Sequence, residues 1–114
     1  TIQPRWSYFI SIVGDMDVTT SGKATVLADV VADPTKVDKI TVICRVQRLE
    51  GSTWKTIKSW TESSDNADPG SVSMEKTYYI QEGYSYRVQI NSKAYVNGSV
   101  KENLTHNFDY GFFN

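Results

Sequence analysis

The chain has 114 residues and a formal net charge of −1, from 12 basic and 13 acidic side chains. That balance argues against the basic excess that marks a nucleic-acid binder, and no nucleic-acid partner is expected. A content of 39% hydrophobic and 22% charged residues is that of a folded chain rather than a disordered one. No apolar run approaches the roughly 20 residues of a membrane helix, so no membrane insertion is expected.

This length suits a single domain over residues 1–114. Cys44 is the only cysteine, which rules out an internal disulfide. The chain opens on Thr1, Ile2 and Gln3 without an initiator methionine. That opening is expected of a fragment or of a mature form, from which any targeting segment has been removed.

In chain order, Trp6, Tyr8, Ile10 and Ile12 alternate as the apolar face of a first strand. Gly14, Asp15, Met16 and Asp17 are expected to end it, and Thr19 to Gly22 to complete a turn. A second strand covers residues 23–32, with Val26, Ala28 and Val30 on one face, and Asp33-Pro34 stops it. The third covers 37–49, with Ile40, Val42, Cys44 and Val46 in phase and Lys39, Thr41, Arg45 and Gln47 opposite. Glu50-Gly51-Ser52 turns the chain into a fourth strand, 53–62, as a hairpin.

Residues 63–70 form the longest loop. A fifth strand follows over 71–80, with Val72, Met74, Tyr78 and Ile80 in phase and Lys76 interrupting them near the rim. Gly83 then permits a sharp turn into the sixth strand, 84–96, whose apolar face begins Tyr84, Tyr86, Val88, Ile90. Asn97-Gly98 is a strong hairpin signal and leads into the last strand, 99–110, with Leu104, His106, Phe108 and Tyr110 in phase. Phe112 and Phe113 need cover. The pattern is all-β: a seven-stranded antiparallel β-sandwich.

The stretch Ile80, Gly83, Tyr86, Val88, Ile90 resembles the tyrosine-corner strand of fibronectin type III domains, with Glu82 where that family has proline. The resemblance implies an immunoglobulin-like or fibronectin type III-like sandwich, with strands one, two and five facing strands three, four, six and seven. It also implies a buried Tyr86 whose hydroxyl bonds the backbone near residues 81–83. Residues 37–40, 49–55, Ser59-Trp60 and 83–88 together are similar to small secreted β-sandwich proteins of Gram-positive bacteria, known as domains of unknown function. That likeness implies export after signal-peptide removal, to the cell surface or beyond, and carries no activity with it.

The chemistry-bearing residues are sparse. His106 is the one histidine and lies on an apolar stripe, and Cys44 lies on another, so neither a triad nor a zinc site can be assembled. No glycine-rich phosphate loop is present. Asp15 with Asp17, and Asp65 with Asp68, share loops, but neither pair comes with the large cleft that glycoside chemistry needs, and Asp15-Met16-Asp17 lacks the oxygen spacing of a calcium site. The expectation is no catalytic residue, no metal and no cofactor. Asn97-Gly-Ser and Asn103-Leu-Thr match the glycosylation acceptor triplet, a pattern common by chance.

Aromatic residues stand out instead: three Trp, seven Tyr and four Phe. Trp54, Thr56, Lys58 and Trp60 share one phase of the fourth strand, and Tyr79 and Tyr95 lie out of phase with their apolar neighbours. Two readings stay open. Trp54, Trp60 and Tyr95 either form an exposed platform for a ligand, or the two tryptophans close one edge of the core with Lys58 draped over them. The function expected is a non-enzymatic accessory or adhesive module that binds a protein or surface ligand. The alternative is a small carbohydrate-binding module using those three rings.

Overall fold

Alternating apolar residues and glycine turns produce an antiparallel all-β architecture. The computed structural model describes residues 6–114 and contains seven strands in two sheets, with no helix among those residues. They are β1 (Phe9–Val18), β2 (Lys23–Ala32), β3 (Lys39–Glu50), β4 (Thr53–Ser63), β5 (Ser71–Tyr79), β6 (Tyr84–Val96) and β7 (Ser99–Phe113). The sheets run β1-β2-β5 and β4-β3-β6-β7, the expected division of the seven strands.

Their inner faces share one core. Val26, Val30, Ile40, Val42, Cys44, Val46, Tyr86, Val88 and Ile90 are all fully buried. Each fully buried aliphatic side chain contributes roughly 1.5–3 kcal/mol relative to exposure, so this shared face is the main stabilising term. Asn97 and Gly98 both adopt positive φ, 52° and 79°, as a type I′ hairpin turn requires.

Three irregularities depart from the expected phase. β1 does not end at Gly14. A Cβ there would lie 2.7 Å from both Ile90 Cδ1 and Phe108 Cδ2, so the glycine serves packing rather than turning, and the strand continues to Val18. Ile10 is 61% exposed, because the register shifts between Phe9 and Ser11. β7 continues to Phe113 because Tyr110 is an extra residue between Asp109 and Gly111. That extra residue turns Phe113 inward, opposite Tyr84.

Burial at the centre of β3 pushes the Cys44 thiol up from 9.0 to about 11. A raised value means that the folded state holds the proton longer than the unfolded chain does. The stability it confers is whole below about pH 9 and is lost as pH rises to 11, a difference of about 2–3 kcal/mol. The wild type should therefore lose that much more stability than Cys44→Val across this window. Paired urea titrations at several pH values check it; parallel curves for the two proteins contradict it.

Candidate functional site

β4 is an edge strand, and its pairing with β3 decides where its aromatic residues point. Val46 pairs with Lys58 and Gln47 with Thr56, which leaves Ile57 as an extra, bulged residue. A one-residue bulge reverses the phase of everything beyond it. Trp60 and Lys58 therefore lie on the inner side, opposite buried Cys44 and Val46. Trp54 and Thr56 lie on the outer side, opposite Leu49 and Gln47. The shared face expected for Trp54, Thr56, Lys58 and Trp60 is thus corrected to two opposite faces.

Trp60 closes the open edge between the sheets. Its ring meets Tyr78 edge-on at 6.4 Å, Lys58 Nζ sits 5.7 Å above it, and it packs on the core. Next to it Lys76 pairs with Glu62 at 2.7 Å, which explains a lysine in the apolar phase of β5. Tyr95 is on the outer face but pairs with Lys39, ten residues along β3 from the partner of Trp54. At a rise of about 3.3 Å per residue the two rings are about 33 Å apart. The three aromatics form no common platform.

The outer face of β4-β3-β6-β7 has a different organisation. β3 contributes Lys39, Thr41, Ile43, Arg45 and Gln47, and β6 contributes Arg87, Gln89, Asn91, Lys93 and Tyr95. β7 adds Asn103, Thr105, Asn107 and Asp109. Four cations, Lys39, Arg45, Arg87 and Lys93, thus share the face with one carboxylate, Asp109. From the level of Arg87 to that of Lys39 they span eight residues of β3, about 26 Å.

Two of the cations are held in place by the aromatics at the ends of the stripe. The Arg87 guanidinium lies 4.4 Å over Trp54, and Lys39 Nζ lies 4.6 Å over Tyr95. Arg87 Nε also donates to Gln47 Oε1 at 2.7 Å, and Gln47 Nε2 donates to Thr56 Oγ1 at 3.1 Å. Arg45 Nη1 donates to Gln89 Oε1 at 3.2 Å, and Gln89 Nε2 donates to Asn107 Oδ1 at 3.1 Å. These ladders fix the rotamers of long side chains before any ligand arrives, which lowers the ordering cost of binding.

No family model matches this sequence, and neither does any curated protein. Sequence reasoning does not single out Arg45, Arg87, Lys39 and Lys93 as site residues. Their outward phase in β3 and β6 is legible, but the adjacency of those two strands is not.

Other places offer less. A cleft of about 470 Å³ opens beside Arg48, Lys55, Tyr78 and Gln81 at the β4 end of the sandwich. Its Arg48 already donates twice to Glu50 Oε2, at 2.8 and 2.6 Å, and stacks 4.5 Å over Tyr84. That hydrogen bonding holds the Glu50 carboxyl below its usual range. His106 is half-buried, edge-on to Trp6 at 5.3 Å. Among the described residues no three His, Cys, Asp or Glu side chains gather to hold a metal, and no helix is long and apolar enough to cross a membrane.

Proposed function

We propose that this chain is a non-enzymatic module of immunoglobulin-like, fibronectin type III-like type, acting outside the cell or on its surface. It docks the acidic surface of a protein ligand on the outer face of the four-stranded sheet. The observation that carries the reading is the row of four cations against a single acid, set in a field of amides and hydroxyls. Such a face attracts an anionic surface electrostatically and orients it through hydrogen bonds. In support of the fold type, the Tyr86 hydroxyl donates to the Gln81 carbonyl at 2.6 Å, the bond a tyrosine corner is built on. The residues implied by the family resemblance, Ile80, Gly83, Tyr86, Val88 and Ile90, occupy that turn and strand.

Immobilised poly-L-glutamate, a stand-in for an acidic protein surface, tests the reading against immobilised neutral dextran. Wild type should bind the polyanion in a salt-dependent way. The double variant Arg45→Gln/Arg87→Gln should bind at least about tenfold more weakly, the equivalent of about 1.4 kcal/mol. Unchanged affinity in the variant, or equal retention on dextran, overturns it.

A further inference from the structure

The opposite side of the sandwich carries the reverse charge. On the outer face of β1-β2-β5, Asp15, Leu27 and Glu75 stand in one cross-strand row, flanked by Val13-Asp29-Ser73 and by Asp17-Thr25-Thr77. Four carboxylates, Asp15, Asp17, Asp29 and Glu75, thus share this face with one cation, Lys23. In their midst Val13 is 52% and Leu27 is 39% exposed. The basic face has a matching centre, since Ile43 is its aliphatic residue between the levels of Arg45 and Lys93.

From this complementarity we infer that the partner of the basic face is the acidic face of a second copy of this chain. The inference rests on the binding face proposed above and names its occupant. The two patches lie on opposite sides of one molecule, so the contact is heterologous: each copy offers a free basic face at one end and a free acidic face at the other. Association of this kind does not close at a dimer and adds copies in an open row. Leu27 and Val13 meet Ile43 at the centre, and the carboxylates meet Arg45, Arg87 and Lys93 around them. A contact made mostly of exposed charge is weak and strongly screened by salt.

Sedimentation velocity on the intact chain tests it, using two variants confirmed as folded by circular dichroism. One neutralises the acidic face (Asp15→Asn/Glu75→Gln) and the other the basic face (Arg45→Gln/Arg87→Gln). In about 0.1 M salt, wild type should show a mass average that rises past the dimer with concentration. Raising the salt to about 1 M, where the screening length falls to roughly 3 Å, should return it to monomer. Each variant alone should stay monomeric, and an equal mixture of the two should form one-to-one pairs and nothing larger.

A monomeric wild type, a wild type that stops at a symmetric dimer, or variants that associate as the wild type does, overturns the inference. If wild type fails to self-associate but still binds poly-L-glutamate through Arg45 and Arg87, the face stands and its partner is a different acidic protein. If both assays fail, the binding face falls as well.

Discussion

Tyr86→Phe is expected to destabilise the domain by roughly 1–3 kcal/mol, although it removes a single oxygen. The ring is fully buried between the sheets, and phenylalanine preserves its packing. What is lost is the hydroxyl's bond to the Gln81 carbonyl, 2.6 Å away across the turn that leads into β6. That carbonyl belongs to a segment also tied down by the Gly83 N–H donating to Phe113 O at 2.7 Å, which holds the turn against the end of β7. Tyr84→Phe should cost less. Its ring is half-buried and stacks under Arg48 at 4.5 Å, a contact that phenylalanine retains. Urea midpoints with unchanged m-values give both numbers. A larger loss for Tyr84→Phe contradicts the assignment.

Gly22→Ala is expected to cost about 3 kcal/mol or more, by two effects that add. Gly22 has a φ of +91°, a conformation an L side chain rarely adopts. A Cβ would also lie 2.7 Å from the Ile80 carbonyl oxygen, a backbone atom with little freedom to retreat. The Ile80 N–H donates to Gly22 O at 2.9 Å, so the same two segments are pinned from the other side. Gly51→Ala isolates the first effect. Gly51 has a φ of +64°, and no atom lies within 4 Å of the position a Cβ would take there. That change should cost about 1–2 kcal/mol. Equal losses for the two variants would show that the Ile80 carbonyl yields, and that the turn is not clamped to β5.

Much of the fold can be read from residue pattern, because period two is a direct imprint of a two-faced strand. β2 and β6 match residues 23–32 and 84–96 to the residue, since each is bounded by turn chemistry and alternates without interruption. The pattern misleads where one inserted residue changes phase. Ile57, the one large aliphatic of β4 out of step with Trp54 and Trp60, is the available sign of a bulge. Its consequence, Trp60 inside and Trp54 outside, depends on the pairing with β3. Tyr110 acts the same way on Phe112 and Phe113. Gly14 reads as a strand end because a glycine in isolation signals a turn. Its reason for being there is the bulk of Ile90 and Phe108, which come from the other sheet.

The candidate face is legible only in halves. The outward phases of β3 and β6 each hold two cations, and nothing local says that those strands lie side by side in antiparallel register. Long-range pairing creates the stripe from Lys39 to Arg87, and it also separates Trp54 from Tyr95.

The most direct measurement is a map of amide chemical shifts in the ¹⁵N-labelled domain titrated with poly-L-glutamate at low salt. Perturbations should concentrate on the central strands of the four-stranded sheet, at Arg45, Arg87, Gln89 and Lys93, and vanish in Arg45→Gln/Arg87→Gln. Perturbations confined to the 33–38 and 63–70 loops, or to the outer face of β1-β2-β5, would contradict it.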